Sequence, residues 1–159
     1  MSDRASTMAV PVTLRPASAT DARLFFDWAN RDDSIASSLV TQGHIPWEEH
    51  RAWFEARLQD GNSRAWVLEV SGRAVGQIRL QDKGEGPEVS IYVEPQDRGH
   101  GTAALATALE QAGTIWPGAQ ILARVRHDNT ASQVFFRKAG FVEIENKPDH
   151  VVLCCGLKS

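Results

Sequence analysis

The chain has 159 residues and a mass of 17.5 kDa, which fits one domain and leaves too little chain for a second hydrophobic core. Hydrophobic residues make up 42% and charged residues 23% of the chain, a composition that excludes fibrous and intrinsically disordered proteins. The net charge of -3 argues against a protein that is held to nucleic acid by its overall field.

Two further features concern the cellular compartment. No apolar run approaches the roughly 18 residues of a membrane span, and the first residues lack the apolar core of a signal peptide. Cys154 and Cys155 are adjacent, and adjacent side chains on a strand point to opposite faces, so we expect no disulfide between them. We therefore expect a cytoplasmic protein, monomeric or homodimeric, without membrane or nucleic-acid partners.

The amino-terminal half is predicted to form a strand and helices, after a flexible tail at residues 1–10 that precedes a single domain at residues 11–159. A capping box at Ser18 and Asp21 begins the first helix. In chain order, the predicted elements are a strand at Thr13–Arg15, a helix from Ser18 to about Asn30, a short helix with a loop at Arg31–Ile45, and a helix from Pro46 to Leu58.

The carboxyl-terminal half first shows three strand patterns joined by short turns, then alternates helices and strands. The predicted elements are strands at Ala65–Val70, Ala74–Leu80 and Glu88–Val93, a helix at Thr102–Ala112, a strand at Ile121–Arg126, a helix at Ala131–Ala139, and strands at Phe141–Glu145 and Val151–Leu157. This order predicts an α/β (α+β) layered domain with one mixed central sheet.

The segment Arg98–Ala103, with the sequence RGHGTA, lies between a predicted strand and a predicted helix. Its small residues allow backbone amides to approach a ligand closely, and the positive end of the helix attracts an anion. Arg98 adds a charged donor for phosphate. The pattern therefore predicts a phosphate-binding turn, while a turn that requires glycine only for its shape is the alternative.

Positive charge is concentrated around this turn. Residues 98–138 contain five basic and two acidic side chains, a balance of +3 within a chain of net charge -3. The remainder of the chain carries 12 basic and 18 acidic side chains. This asymmetry favours an anionic ligand at the turn, with a solvated helix face as the alternative interpretation of Arg137 and Lys138.

A second motif follows the next strand and consists of Asn129, Ser132, Phe136, Lys138, Gly140 and Phe141. Together with the RGHGTA turn it resembles the GCN5-related N-acetyltransferases (GNAT), and the resemblance extends over nearly the whole chain from Val12. It implies a mixed central sheet with helices on both faces, and acetyl-CoA bound between two splayed parallel strands, Glu88–Val93 and Ile121–Arg126. The implied activity is direct transfer of an acetyl group from acetyl-CoA to a primary amine.

The same resemblance assigns the cofactor contacts. The pyrophosphate loop of the family corresponds to Arg98, Gly101 and Ala103, and a register through Gln96, Gly99 and Gly101 also satisfies the spacing. Pantetheine is expected to bond to the backbone of the first splayed strand. The implied contacts are Ile91, Tyr92, Val93, Arg98, Gly99, His100, Gly101, Thr102, Ala103, Asn129, Ser132 and Phe136. Asn129 is also suited to capping the helix that follows it.

Phe136 departs from the family pattern. Members of the family often have a tyrosine at this position, which is taken to protonate the departing thiolate, and phenylalanine has no proton to give. A general acid contributes about 10²- to 10⁴-fold, and a thiol with a pKa near 8.5 is a tolerable leaving group, so the change weakens the mechanism without abolishing it. Tyr92, Ser132 or water is expected to supply the proton instead.

An ammonium acceptor must lose a proton before it attacks, and Glu88 is the first candidate for the base, with His127 as the alternative. Glu88, Ser90 and Tyr92 alternate onto one face of their strand, which indicates either a wet cleft or a half-exposed sheet face. The histidines and cysteines lack the spacing of metal ligands, so no metal is expected.

A finer pattern consists of Trp28, Asn30, Pro46, Glu48, Glu49, His50, Trp53, Phe54, Gly76–Arg79 and Glu88–Ile91. It resembles the N-acetyltransferases that act on nucleotide-linked 4-amino-4,6-dideoxy sugars in pseudaminic acid synthesis. It implies a small-molecule amine, such as a UDP-linked amino sugar, as the acceptor. The implied substrate contacts are Trp28, Asn30, His50, Gln77, Arg79 and His127. Three alternatives remain: acetylation of a protein N-terminus or lysine, acetylation of another small amine, and a non-catalytic acyl-CoA-binding module. Trp28 and the strand polarity of Gln77 and Arg79 also have purely structural interpretations, as core and solvent-facing residues.

Overall fold

A computed structural model describes residues 10–39 and 43–156, so the predicted tail at residues 1–10 lies almost entirely outside the described part of the chain. The described residues form one sheet of seven strands in the order β1-β2-β3-β4-β5-β7-β6. The strands are β1 Val12–Pro16, β2 Ser63–Val70, β3 Arg73–Asp82, β4 Pro87–Val93, β5 Gln120–Arg126, β6 Val142–Asn146 and β7 His150–Gly156.

Helices lie between these strands in the chain. They are α1 Ala22–Ala29, α2 Asp32–Ser37, α3 Trp47–Gln59, α4 Gly101–Ile115 and α5 Thr130–Lys138, with 3-10 helices at Ala19–Asp21 and Pro95–His100. No helix among the described residues has the length and apolar character to cross a membrane. The prediction of a single mixed α/β sheet domain is confirmed.

The start of the first helical segment forms as the sequence predicts. Ser18 and Asp21 make the expected capping box, in which the Asp21 carboxylate accepts the backbone N–H of Ser18 at 2.8 Å. Asp21 also accepts two hydrogen bonds from Arg15 of β1 at 3.0 Å. Burial alone would raise the pKa of Asp21, but the bonds from Arg15 and Ser18 hold it below its ordinary value. The cap therefore fixes α1 to the edge of the sheet.

Apolar residues cover both faces of the sheet and attach a helical layer to each. On one face, α4 buries Ala104, Leu105 and Ala108 against the strands, in the main hydrophobic cluster. On the other face, Phe25 and Trp28 of α1 and Phe54 of α3 pack over Val67 of β2. Helices therefore cover both faces of the sheet, and a point where two strands separate gives a ligand access to its backbone.

The strands β4 and β5 separate in this way. They run parallel, and within the described residues their register contains one pair, Glu88 with Leu122. Beyond Glu88, the edge of β4 that faces β5 has no strand partner, although its other edge remains paired with β3 as far as Val93. The predicted splayed pair is therefore confirmed, and its open end exposes backbone groups that require hydrogen-bond partners.

Gly76 marks a close approach of β3 to β4. A Cβ atom built on Gly76 would lie 2.2 Å from the carbonyl oxygen of Tyr92 and 2.9 Å from the Cα of Val93. Both atoms belong to the backbone, so neither can rotate away. Glycine at position 76 therefore allows β3 to pack this closely on β4.

The remaining differences from the predicted elements are small. The helix α4 continues to Ile115, and the segment Pro95–His100 forms a 3-10 helix that leads directly into α4. Cys154 and Cys155 are free and belong to clusters on opposite faces of β7, as their adjacency predicts. The predicted end of the last strand, Leu157, lies outside the described residues.

Candidate active site

Glu88 lies at the point where β4 and β5 begin to diverge. Its carboxylate is bonded to the guanidinium of Arg124 from β5, which also contacts Glu85 at 2.8 Å. Burial lowers the pKa of Arg124, but the two carboxylates more than compensate and raise it. Glu88 remains partly accessible and lines a pocket of about 440 Å³ together with Gln81, Lys83, Arg124 and Asp149. The predicted base thus faces a space that a small amine can enter.

The predicted phosphate-binding turn is exposed at the open end of the same cleft. Arg98, Gly99, Thr102 and Ala103 are exposed, and the 3-10 helix places their backbone at the start of α4. Asp97, in the 3-10 helix of the turn, is buried and accepts two hydrogen bonds from Arg73 of β3 at 3.1 Å. These bonds lower the pKa of Asp97. The turn is therefore tied to β3 by this salt bridge and is open to a ligand.

The two glycines of the turn have different structural roles. A Cβ on Gly99 would meet nothing within 4 Å, whereas a Cβ on Gly101 would lie 3.3 Å from the Phe135 ring. Gly101 also has an ordinary helical φ of -62°. Gly101 therefore packs closely against α5, a role that the sequence interpretation did not distinguish from close approach to a ligand.

The positive charge near the turn is largely compensated by local carboxylates. Arg98 contacts Asp33, Arg126 contacts Asp128 and Arg137 contacts Glu143, each within 3.1 Å. Arg124 is paired with Glu85 and Glu88 as described above. The charge asymmetry seen in the sequence is thus weaker in the structure, because the acidic partners come from outside residues 98–138 in three of these four cases.

Glu94, which follows β4 directly, accepts hydrogen bonds from three donors. They are the phenol of Tyr92 at 3.0 Å, the indole N–H of Trp28 at 3.1 Å and the guanidinium of Arg31 at 2.9 Å. Burial, followed by the bond to Glu94, raises the pKa of Tyr92 to about 12. The phenol of Tyr92 therefore keeps its proton and donates it in a hydrogen bond to the Glu94 carboxylate.

The start of α5 is also near the cleft. Asn129 caps this helix by accepting the backbone N–H of Ser132 at 3.2 Å, and Ser132 is half-buried. Phe136 is buried in the main core against Phe135 and Phe141. The capping interpretation of Asn129 is thus confirmed, and Phe136 contributes to the packing of α5.

Several of the predicted acceptor contacts are buried between α1, α3 and β3. Trp28 is 2% exposed, which favours the core interpretation over a stacking platform for a ligand. His50 and Gln77 are also buried, and their atoms Nδ1 and Oε1 have no hydrogen-bond partner. Arg79 lies over the Trp53 ring at 5.0 Å, and burial lowers its pKa to about 10. His50, Gln77 and Arg79 therefore form a polar layer between α3 and β3.

The remaining two acceptor candidates bond to the backbone. Asn30 accepts the N–H of Ile45 at 2.6 Å and donates to the carbonyls of Phe26 and Ile45. His127 contacts the Lys147 carbonyl at 2.7 Å through Nε2 and is exposed. Asn30 thus fixes the end of the loop between α2 and α3, and His127 joins the end of β5 to the turn between β6 and β7.

His50 is expected to make stability depend on pH. Burial lowers the pKa of His50, and the charge of Arg79 lowers it further. In the unfolded chain the imidazole takes up a proton near pH 6.5, so its stabilising contribution is complete above about pH 6.5 and is lost as the pH falls towards the lower folded pKa. Urea denaturation of the native protein at about pH 7.5 and about pH 5.5 measures this loss.

The matched variant for this measurement is His50→Leu. The leucine side chain fills a similar apolar space among Phe54 and Trp53 and cannot be protonated. We expect the variant to lose less stability than the native protein between the two pH values. An equal loss in both proteins would show that protonation of His50 does not contribute.

Three residues of the site were not identified from the sequence: Glu94, Arg124 as the partner of Glu88, and Asp97. Glu94 and Asp97 follow the end of a strand, where a polar residue is common and gives no functional signal. Arg124 alternates with apolar residues on β5, a pattern that could have indicated its face. Its partner depends on the pairing of β4 with β5, which joins residues 36 positions apart.

Residues 12–142 match the family described as the acetyltransferase (GNAT) domain. The chain belongs to this family. The match spans more than half of the chain and includes the turn, the diverging strands and the start of α5, so the enzyme is an N-acetyltransferase. No curated protein matches the sequence significantly.

Solved structures share the fold at low identity. They include the Vibrio cholerae spermidine N-acetyltransferase in complex with CoA and spermine (TM-score 0.77, 19% identity, 92% of this chain and 94% of that one). The ribosomal-protein-alanine N-acetyltransferase of Brucella melitensis has a TM-score of 0.76 and 24% sequence identity, and the match covers 91% of this chain and 99% of that one. The Campylobacter jejuni N-acetyltransferase PseH has a TM-score of 0.69 and 15% sequence identity, and the match covers 91% of this chain and 97% of that one. These likenesses show the fold of the GNAT enzyme and leave its acceptor open.

The site fits acetyl-CoA as the acetyl donor. The unpaired edge of β4 offers backbone bonds to an amide-containing chain, and the exposed turn at Arg98–Ala103 offers amides and a guanidinium to a pyrophosphate. Among residues 10–39 and 43–156, no group of histidine, cysteine and carboxylate side chains is arranged to hold a metal ion.

Proposed function

We propose that the enzyme transfers the acetyl group of acetyl-CoA to a primary amine in the cleft between β4 and β5, with Glu88 as the general base. The position of Glu88 carries this proposal: it is partly accessible, lines the 440 Å³ pocket and lies where the two strands diverge. A carboxylate there accepts the proton of an ammonium group, directly or through water, before the amine attacks. Acetyl-CoA, when bound, supplies the thioester.

The cofactor contacts follow from the same cleft. The backbone of Ile91–Val93 would bond to pantetheine, and the turn at Arg98–Ala103 would bind the pyrophosphate. Asn129 and Ser132 lie at the start of α5, on the side of the cleft formed by β5. Phe136 would act through the packing of α5, because its ring is buried.

The proton for the departing thiolate has three candidate sources: Tyr92, Ser132 and water. The phenol of Tyr92 donates its hydrogen bond to Glu94, and its pKa is raised to about 12. A proton moves unfavourably from such a phenol to a thiolate whose pKa is near 8.5. Serine and water are weaker acids still, so pKa does not separate the candidates. The hydrogen bond that directs the Tyr92 proton to Glu94 favours Ser132 acting with water, or water alone, over Tyr92.

The variant Tyr92→Phe tests this assignment. We expect kcat to fall by less than about tenfold, well below the 10²- to 10⁴-fold typical of a lost general acid. The variant should also lose stability, because Glu94 loses one of its three donors. Steady-state kinetics with saturating acetyl-CoA measures the rate, and Ser132→Ala is the parallel variant. A loss above about 10²-fold in Tyr92→Phe would assign the acid to Tyr92.

For the acceptor, we propose the amino group of a nucleotide-linked amino sugar. Gln77 and Arg79 lie on the same face of the sheet as Glu88, because they pair with Tyr92 and Ser90 on β4. Arg79 forms no salt bridge within 4.0 Å among the described residues and feels Glu88 only at longer range, so its donors are open to an anionic carrier group. His127 at the end of β5 and His50 beneath β3 complete the proposed acceptor side, which Asn30 shapes through its loop.

A second acceptor class is favoured by the acidic side of the pocket. Glu85, Glu88 and Asp149 all line it, and carboxylates attract a polyamine as well as a single ammonium group. A nucleotide-linked sugar is negatively charged and a polyamine is positively charged, so an experiment can separate the two classes of acceptor.

An acceptor panel decides between these classes by following CoA release. The panel contains a UDP-linked 4-amino-4,6-dideoxy sugar, spermidine, and peptides that begin with Ser or Ala. We expect the amino sugar to turn over with stoichiometric CoA, and its KM to rise in Arg79→Ala. Turnover of spermidine or of the peptides alone would reassign the acceptor, and binding of acetyl-CoA without CoA release for any amine would indicate a non-catalytic module.

A further inference from the structure

A second pocket, of about 320 Å³, lies where the end of α3 meets the start of β2 and the end of β3. Arg57, Arg64 and Arg79 line it, and Asp60 is its one acidic lining residue. Gln81 lines both this pocket and the pocket of Glu88, so the two adjoin. We name it the arginine pocket.

The arginine pocket contains most of the uncompensated guanidinium groups in the described part of the chain. Eight of the twelve described arginines have a carboxylate within 4.0 Å. The other four are Arg23, Arg57, Arg64 and Arg79, and three of these line the pocket. Asp60 attracts Arg57 electrostatically but forms no salt bridge with it, because its carboxylate accepts bonds from Ser63 and the backbone of Asn62 at 2.9 Å. The pocket therefore has a net positive charge.

The donors of the pocket are also incompletely satisfied. The Nε of Arg57 is buried without a partner, and Arg64 bonds only to the carbonyls of Gly61 and Ser63. A buried donor without a partner is costly, and a bound anion removes that cost. Guanidinium groups match the planar, two-oxygen edge of a phosphate, so phosphoryl oxygens fit these donors well.

The geometry relates this pocket to the proposed base. Gln81 pairs with Glu88 across β3 and β4, and Arg79 lies two residues before Gln81 on the same face. Two residues of a strand span about 7 Å. We propose that the arginine pocket binds the phosphoryl groups of the acceptor, so that the acceptor is an amine whose phosphate lies on the order of 10 Å from the nitrogen that reacts beside Glu88. This inference rests on the proposed acetyl transfer and deepens it.

Direct binding tests the pocket without catalysis. The probe is UDP, titrated by calorimetry into the native protein saturated with CoA, which occupies the separate anion-binding turn at Arg98–Ala103. We expect UDP to bind, and at least tenfold weaker binding in Arg57→Gln and in Arg79→Gln. Arg23→Gln is the matched control, because Arg23 is also without a carboxylate partner but lies over the Trp47 ring outside the pocket. Arg57→Lys keeps the charge and loses the planar fork, so it should give an intermediate affinity.

Native protein that does not bind UDP when CoA is saturating would overturn the proposal, as would equal affinity in the Arg57 and Arg23 variants. Thermal denaturation of each variant identifies a loss of fold. Kinetics with glucosamine 1-phosphate and glucosamine, which differ by one phosphate, gives a second readout: Arg57→Gln should raise KM only for the phosphorylated amine and leave kcat unchanged. If no amine is acetylated and UDP binding still requires Arg57, the acetyl-transfer proposal fails and the anion site stands.

Discussion

Replacing Glu88 with glutamine is expected to lower kcat by roughly 10²- to 10⁴-fold, the contribution of a positioned general base. The amide keeps the size of the side chain but cannot accept the proton of an ammonium group. Acetyl-CoA affinity should remain close to native, because the proposed contacts of the cofactor are the backbone of β4 and the turn at Arg98–Ala103. Steady-state kinetics measures the first effect and calorimetry with acetyl-CoA the second. The acidic limb of the pH–rate profile that reports the base should disappear in the variant.

Glu85→Gln is the matched control for this variant. Glu85 contacts the same Arg124 guanidinium at 2.8 Å, but its side chain is 75% exposed against 28% for Glu88. If the carboxylates acted only by holding Arg124, the two variants would lose similar activity. We expect Glu85→Gln to retain nearly native kcat, and a comparable loss in both variants would remove Glu88 from the role of base.

Gly76→Ala is expected to have the largest effect on stability of any single methyl addition in the sheet. The added Cβ would lie 2.2 Å from the carbonyl oxygen of Tyr92, so β3 and β4 must move apart. Overpacking typically costs about 1 to 3 kcal/mol, and a backbone clash has no side chain that can rotate away, so we expect about 3 kcal/mol or more. Urea denaturation measures this loss. Because β4 carries Glu88 and the backbone proposed to bind pantetheine, acetyl-CoA affinity should fall as well.

Gly156→Ala provides the comparison within a strand. Gly156 ends β7, and a Cβ there would meet nothing within 4 Å. We expect this variant to be close to neutral or slightly stabilising, since alanine restricts the unfolded chain. Similar stability of the Gly76 and Gly156 variants would show that β3 and β4 have more freedom than their spacing indicates.

The order of elements could be predicted from the sequence because each element carries its own local pattern. The capping box at Ser18, the alternation along β4 and the alanine-rich α4 all formed as predicted. The diverging strands came from a resemblance to a family, since pairing between β4 and β5 has no local signal. The same limit applies to the salt bridge of Glu88 with Arg124 and to the convergence of Trp28, Arg31 and Tyr92 on Glu94, which join residues distant in the chain.

Individual roles were harder to predict than positions. Trp28 and Gly101 were both interpreted through possible ligand contacts, and in the fold both are buried against aromatic rings. Conversely, Arg57 looks like an ordinary surface residue of α3 in the sequence. Its lack of a partner emerges only when β2 and β3 are placed beside it.

Two ion pairs join the segment around α2 to the cofactor side of the fold. Arg31 contacts Glu94, and Asp33 contacts Arg98 at 3.1 Å. Leu39, two residues after α2, lines the pocket of Glu88. An anion that binds Arg98 would compete with Asp33 for its guanidinium, so we expect occupancy of the turn and the position of α2 to be thermodynamically linked. Such linkage is reciprocal. If bound acetyl-CoA changes the affinity for the amine, the bound amine must change the affinity for acetyl-CoA by the same free energy.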